Sequence, residues 1–328
     1  MFELAYWQNK AAALRLPDQA VIDGKSRAAQ SGQTFAAINP ATGQCLANVA
    51  ACGEEDVDAA VRNARQVFEA GTWAARSPSE RKQVLLRLAD LILAHREELA
   101  LLDSLNMGKP VMDAYNIDVP GAAGVFRWYA ESLDKLYDQV APSAQNVLAT
   151  ITREALGVVA AVVPWNFPLD MAAWKLAPAL AAGNSVILKP AEQSPFSALR
   201  LAELALEAGL PAGVLNVLPG LGEQTGKALG LHPDVDCLVF TGSTEVGKYF
   251  MQYSAQSNLK QVWLECGGKS ANLVFADCQD LDLAAQKAAF GIFFNQGEVC
   301  SANSRLLVQR SIHDEFVERL KVQAERWQ

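Results

Sequence analysis

No stretch of the chain is strongly basic, none is both long and apolar, and neither its six cysteines nor its three histidines are grouped. Each absence closes a class of function. Asp and Glu outnumber Lys and Arg by 36 to 28, for a net charge of −8, which leaves no electrostatic footprint for a nucleic-acid backbone. The amino terminus, Met1 to Lys10, lacks the basic and apolar regions of a secretory signal, and the apolar stretch from Ala155 to Leu169 is short and broken by Pro164, so no membrane association is expected. Cys45, Cys52, Cys237, Cys266, Cys278 and Cys300 form no CxxC pair, and His95, His232 and His313 lie far apart. Neither a disulfide framework nor a metal site is expected, and a reducing cytoplasm suits the thiols.

What is present is an ordinary globular composition, 51% apolar and 20% charged over 328 residues, enough for a sizeable core and two domains. The first third reads as helices. Ser77 to Glu80 offers a cap, a proline at the first helical position and an acid three residues on, and apolar residues recur at helical spacing through Leu85, Leu88, Ile92 and Leu99 until Gly108 and Pro110 end the stretch as one helix or two. A second amphipathic run covers Asp118 to about Tyr137. Asp138 to Glu154 is polar and then β-branched, which reads as an arm or hairpin offering an edge for pairing subunits. From Gly157 the pattern turns to apolar runs of strand length, at 158–163, 185–189, 215–218, 237–240 and 262–265, separated by helical stretches such as 198–208. That alternation predicts an α/β fold with a parallel, doubly wound sheet, whose ligands gather at the carboxyl ends of the strands.

Several segments at or just after such ends carry groups capable of chemistry. Cys300 closes the glycine-containing loop Phe293 to Cys300, between a helix beginning near Leu281 and a strand at 306–308, where a thiol is presented to a substrate. Taken alone it reads as a small buried hydrophobe, as the other five cysteines do. Glu265 ends a strand ahead of Gly267 and Gly268, where it could act as a general base; on its own it reads first as a helix-cap or salt-bridge acid, and it gains force only with Cys300. Asn166 lies between Pro164 and Pro168, a rigid setting for an amide that stabilises an oxyanion, or for a turn asparagine. Three turns are open to a dinucleotide: Lys189 to Glu192, Pro219 to Gly222, and Thr241 to Gly247, in which Gly242 and Gly247 bracket a strand-to-helix turn. Their spacing is not GxGxxG, so each turn alone is weak.

Taken together and in order, PWNFP at 164, LKPAE at 188, FTGSTEVG at 240, LECGGKS at 264 and NQGEVC at 295 resemble the signature set of the aldehyde dehydrogenase superfamily, over essentially the whole chain. The resemblance is closest to aminoaldehyde dehydrogenases, in particular the γ-glutamyl-γ-aminobutyraldehyde dehydrogenases of bacterial polyamine catabolism. It implies NAD-dependent oxidation of an aldehyde to a carboxylic acid through a thiohemiacetal and thioester on Cys300. Asn166 and the Cys300 backbone amide would hold the oxyanion, and Glu265 would activate the hydrolytic water. Lys189 and Glu192 would hold the adenosine ribose, Ser243 would lie near the pyrophosphate, and Val163, Pro164, Trp165, Gly222, Gly242 and Gly247 would line the cofactor path. Glu192 should repel a 2′-phosphate, so NAD is favoured over NADP. Phe167, Asp170, Trp174, Phe294, Val299 and Ser301 would line a substrate tunnel with Asp118 near its mouth, and Asp170, in a position often apolar in the family, with Asp118 would attract a cationic or strongly polar aminoaldehyde; Asp170 reads equally as a solvated surface acid.

The resemblance also implies an NAD-binding domain over 1–136 and 156–267, an oligomerisation arm over 137–155, and the start of an α/β catalytic domain over 268–328, with the full-length form a homodimer or homotetramer. Family members continue past position 328, so the chain is expected to be a truncated form in which the Cys300 loop loses packing. Two other functions compete. Acyl transfer to coenzyme A is opposed by Glu265, which members of that class generally lack. A catalytically impaired chain that only binds nucleotide or partner subunits is opposed by intact Cys300, Glu265 and Asn166.

Overall fold

In a computed structural model, which describes residues 3–327, helix α1 (Leu4–Ala12) precedes four short strands, β1 (Ala20–Ile22), β2 (Lys25–Arg27), β3 (Thr34–Ile38) and β4 (Cys45–Ala50). Helices α2 (Glu54–Glu69), α3 (Pro78–Ala94), α4 (Arg96–Met107) and one-turn α5 (Val111–Asp113) follow, then a π-helical turn (Ala114–Asp118) that runs into α6 (Val119–Ser132). The stretch ended by Gly108 is therefore two helices. They break at His95, and Gly108 caps the second in the left-handed conformation, φ 79°. Ser77 and Glu80 cap α3 reciprocally, each side chain accepting the other's backbone N–H. Residues 138–154 contain an antiparallel hairpin of β5 (Gln139–Ala141) and β6 (Ala149–Ile151), with Val140, Leu148 and Ile151 exposed.

The alternating part runs β7 (Val158–Val162), α7 (Pro168–Ala181), β8 (Ser185–Lys189), α8 (Phe196–Glu207), β9 (Leu215–Val217), α9 (Lys227–Leu231), β10 (Cys237–Gly242), α10 (Thr244–Gln256) and β11 (Gln261–Cys266). Strand parity sets the layers. Val159, Ala161 and Val163 enter one core with residues of α3, α4, α6, α7 and α8, whereas Val158, Ala160 and Val162 enter another with α2, α9 and α10. A strand buried on both faces needs a helical cover on each, which is the doubly wound arrangement.

The sheet order is β11-β10-β7-β8-β9-β1-β2. Its centre is parallel, as expected, but one edge is not: β1 runs antiparallel to β9 and β2 antiparallel to β1. The first third thus contains strands where only helices were expected. Asp23 and Gly24 turn that hairpin with φ of 54° and 67°, the left-handed pair that a two-residue hairpin loop requires.

Two compact units result. The larger runs to Thr241 and resumes over Glu245–Leu264; the smaller takes Gly242–Thr244 and the described residues from Glu265 onward. In the smaller unit β12 (Ala271–Val274) pairs in parallel with β13 (Arg305–Val308), and α11 (Leu281–Phe293) and α12 (His313–Ala324) pack around Val274, Ala285, Ala288 and Phe316. No helix among the described residues is long and apolar enough to cross a membrane.

Gly157 opens β7 at φ 132°, and a Cβ there would overlap the carboxylate of Asp236, which accepts the Val158 N–H at 2.7 Å and is held by Arg65. Gly157→Ala should therefore cost on the order of 3 kcal/mol, read as a lower urea midpoint at unchanged slope. A shift below about 0.5 kcal/mol would show that this end of the sheet yields easily.

Candidate functional site

The larger unit gathers three of the sequence motifs at the carboxyl ends of adjacent parallel strands. β7 hands over to the turn Pro164–Pro168 after the Val163 N–H donates to the Lys189 carbonyl at 3.1 Å, and Pro168 is the first residue of α7. Within that turn Trp165 is exposed, while Asn166 and Phe167 are partly buried. Lys189, paired in register with Val162, ends β8 with its side chain 3% exposed. Burial lowers its pKa, and Glu192, with Oε2 3.0 Å from Nζ, opposes that shift. A buried ammonium beside a half-exposed carboxylate provides a donor and an acceptor for a pair of neighbouring hydroxyls, as a ribose requires.

Beyond β9, Gly222 is exposed and opens a π-helical turn (Gly222–Gly226). The preceding loop is tied to the start of α2, because Cys52 N–H donates to the Pro219 carbonyl at 3.0 Å and the Thr225 hydroxyl donates to the Cys52 carbonyl. Gly247 is buried in the first turns of α10. Gly242 and Ser243, which continue from β10, fall in the smaller unit. Among the described residues no group of three or more His, Cys, Asp or Glu is arranged to hold a metal.

Beneath the Pro164–Pro168 turn lies a polar cluster that sequence reasoning found only in part. Asp118 is 1% exposed and forms an ion pair with Lys109, itself 1% exposed. Asp118 ends the π-helical turn, where Ala114 is buried as well. Lys109 Nζ also sits 3.9 Å from the centroid of the Phe167 ring. Asp103, fully buried on α4, accepts the Leu169 N–H at 3.4 Å, and Asn106, one turn on, accepts the Phe196 N–H at 3.0 Å. Asp103, Lys109 and Asn106 were missed, yet a signal existed: Leu99, Leu102, Asp103 and Asn106 share one helical face, so two polar residues interrupt a buried stripe.

Asp170 faces α6, where a Cβ on Gly121 would come within 3.3 Å of its Oδ1, an oxygen buried without a hydrogen-bond partner. Burial, reinforced by the charge of Asp118, pushes the Asp170 carboxyl up to about 6. Burial likewise pushes Asp103 up to about 7. Trp174, one turn further along α7, is 51% exposed.

In the smaller unit Cys300 and Glu265 come together. The loop ahead of the thiol contains three consecutive left-handed residues, Asn295 (φ 50°), Gln296 (φ 56°) and Gly297 (φ 79°), and only the last is free of the Cβ penalty. Backbone bonds hold this strained turn: Glu298 N–H to Asn295 carbonyl at 2.9 Å, Asn303 N–H to Gly291 carbonyl at 3.0 Å, and Gly268 N–H to Cys300 carbonyl at 3.2 Å. The last bond ties the Glu265–Gly268 segment to the cysteine. Burial, then a hydrogen bond to Glu265 and its negative charge, raise the Cys300 thiol pKa, while the backbone N–H groups of Ser301 and Cys300 lower it. The resting thiol is thus protonated beside a carboxylate able to take its proton. Phe294 stacks on Phe290 at 5.1 Å, Val299 is half-buried, and Ser301 and Cys300 are exposed.

A sequence profile of the aldehyde dehydrogenase family matches residues 27–328. The NADP/NAD-dependent aldehyde dehydrogenase PuuC of Escherichia coli (strain K12) is 55% identical over 99% of this chain and 66% of its own length. Aminoacetaldehyde dehydrogenase of Pseudomonas aeruginosa is 53% identical over 97% of this chain and 64% of its own length. Among solved structures, a γ-glutamyl-γ-aminobutyraldehyde dehydrogenase from Burkholderia cenocepacia J2315 superimposes with TM-score 0.97 at 58% identity, covering 99% of this chain and 66% of that one. An indole-3-acetaldehyde dehydrogenase in complex with NAD+ gives TM-score 0.98 at 53% identity, covering 100% of this chain and 66% of that one. The chain therefore spans slightly less than two thirds of the length of these relatives.

The geometry makes two predictions. Removing the acceptor and charge beside the thiol with Glu265→Gln should lower the pH midpoint for iodoacetamide alkylation of Cys300 and speed the reaction at pH 7; an unchanged midpoint would separate the two groups. The Asp170 carboxyl is protonated in both folded and unfolded chains below about pH 4, and between there and about 6 only the folded chain keeps the proton, so stability falls as pH rises across that window. Asp170→Asn should accordingly gain on the order of 2 kcal/mol at pH 7.5 over its effect at pH 4. Equal effects in urea unfolding at the two pH values would refute the buried-charge account.

Proposed function

The chain belongs to the aldehyde dehydrogenase family, and from that premise we propose that it oxidises an aldehyde to the carboxylic acid with NAD as electron acceptor. The observation that carries this reading is the Glu265 carboxylate against the Cys300 thiol, on a strained and backbone-tied loop. Glu265 accepts the thiol proton as sulfur adds to the aldehyde carbon, giving a thiohemiacetal. The Asn166 side-chain amide and the Cys300 backbone amide serve as oxyanion donors. NAD, when bound, supplies the two-electron acceptor that converts thiohemiacetal to thioester. Glu265, having passed the thiol proton to solvent, then activates the water that releases the acid.

Lys189 and Glu192 fit the ribose hydroxyls, with Ser243 at the pyrophosphate and Val163, Pro164, Trp165, Gly222, Gly242 and Gly247 along the cofactor. The Glu192 carboxylate repels a 2′-phosphate, which favours NAD over NADP. On this reading residues 1–136 and 156–267 form the nucleotide-binding domain, 137–155 pair subunits of a homodimer or homotetramer, and 268–328 begin the catalytic domain of a cytoplasmic enzyme. The proposed substrate is an aminoaldehyde or γ-glutamyl aminoaldehyde. Phe167, Trp174, Phe294, Val299 and Ser301 line its path, and Asp170, its charge modulated by Asp118, attracts the cationic or polar end. Asp170's unpartnered buried oxygen supports that role, as do the aldehydes named for the relatives. A second reading, nucleotide or partner binding without turnover, is favoured by the exposure of Cys300.

The test is NADH formation with γ-glutamyl-γ-aminobutyraldehyde. One free acid per NADH is expected, with loss of activity in Cys300→Ala and a fall of roughly 100-fold or more in Glu265→Gln. Nucleotide binding with no NADH would establish the second reading. Asp170→Leu should lower kcat/KM about tenfold for aminoaldehydes relative to hexanal, and an unchanged ratio would remove Asp170 from recognition.

A further inference from the structure

We propose that Lys109 is a positioning residue for the Asn166 amide: its buried ammonium, anchored by Asp118, grips the Phe167 ring and so holds the Pro164–Pro168 turn in place. The inference rests on the reading of Asn166 as an oxyanion donor, and concerns what keeps that donor still.

The turn is fastened on both sides of Asn166. Upstream, the Val163 N–H donates to the Lys189 carbonyl at 3.1 Å. Downstream, the Leu169 N–H reaches Asp103 at 3.4 Å, a long bond that constrains weakly. Between them the Phe167 ring, adjacent in sequence to Asn166, lies 3.9 Å from Lys109 Nζ. A cation over an aromatic face is a strong contact once both are out of water, and Lys109 is 1% exposed. Lys109 cannot follow the turn if it moves. It leaves α4 directly after the left-handed cap Gly108, Pro110 follows it, its carbonyl accepts the Ser104 hydroxyl at 2.7 Å, and its ammonium is paired with Asp118 on the π-helical turn.

Charge adds a second reason for a lysine here. Asp103 from α4, Asp118 from the π-helical turn and Asp170 from α7 belong to the same buried cluster, and each has a carboxylate oxygen with no hydrogen-bond partner. Lys109 is the cation that lowers the cost of ionising all three. A neutral residue at 109 removes both the grip on Phe167 and that compensation.

A purely structural ion pair and a positioning clamp differ in one measurable respect. Acylation of Cys300 by p-nitrophenyl acetate passes through a tetrahedral oxyanion before p-nitrophenolate leaves, whereas alkylation by iodoacetamide displaces iodide with no oxyanion formed. Both rates are measured on the 328-residue chain, with the urea midpoint, for Asn166→Ala, Lys109→Met, Phe167→Leu and the double variant Lys109→Met/Asp118→Leu. The double variant removes both members of the ion pair, so Asp118 is not left facing a neutral residue, and Asp103 and Asp170, which lose the ammonium's compensation, are held protonated by burial; it carries the test with Phe167→Leu if Lys109→Met alone does not fold.

The clamp predicts acylation slowed about tenfold or more in each of the four, alkylation within roughly twofold of wild type, and a near-wild-type urea midpoint for the double variant. Wild-type acylation by the double variant, with Asn166→Ala slow, would reduce Lys109 to a structural role and overturn the proposal. Wild-type acylation by Asn166→Ala would instead remove Asn166 as the donor, and the clamp with it.

Discussion

Strand Val158–Val162 has no face to give to water: its alternate residues enter two separate cores. Everything in the larger unit follows from covering both faces. Parallel neighbours need crossovers, the crossovers are the helices that supply the cover, and their return loops collect at the carboxyl ends of the strands. The turn after β7, the Lys189–Glu192 pair after β8 and the Gly222 turn after β9 stand at one end of the sheet for that reason. Gly157 and Asp236 serve the same constraint at the opposite end, where the carboxylate takes the first N–H of β7 and leaves no room for a side chain.

The alternating half of the chain was legible because two-sided burial writes itself as continuous apolar runs, and the ends of β7 to β11 fall within two residues of the positions expected from them. The amino-terminal strands were not. β2 is Lys25–Arg27, exposed at every position, so it carries no apolar alternation, and β1 is only three residues long. The Asp23-Gly24 pair was the available signal, and it reports a turn without reporting which sheet the hairpin joins. At the candidate site the motifs placed Cys300 and Glu265, but the left-handed backbone at Asn295 and Gln296 had no compositional mark beyond Gly297. Asp118 was legible as an acid and not as a buried one. Its environment depends on the π-helical turn, and an inserted residue of that kind rotates the helix without altering the pattern that predicts it.

The two units confront the same cost, polar groups withdrawn from water, with different results. Under the Pro164–Pro168 turn, burial raises carboxyl groups and a single ammonium offsets part of that rise. At Cys300, burial and the neighbouring carboxylate act in the same direction and hold the sulfur protonated. Nucleophilic cysteines are commonly activated by a nearby cation that stabilises thiolate in advance. Here the arrangement keeps the thiolate scarce until a base removes the proton.

That difference constrains how Glu265 serves the proposed reaction. While it holds the thiol proton it cannot act as a base on water, because a protonated carboxyl takes up no second proton. Once sulfur is bonded to carbon the thiol hydrogen bond is gone, and when Glu265 passes the proton it has taken to solvent the carboxylate becomes available to water. The order of the two half-reactions is thus enforced by occupancy of one acid: thioester formation frees the base that hydrolyses the thioester. A cation in place of Glu265 would supply more thiolate and leave no group to activate water. In the proposed reaction the carboxylate that helps to raise the thiol pKa is the base that takes up a second task after the first bond has formed.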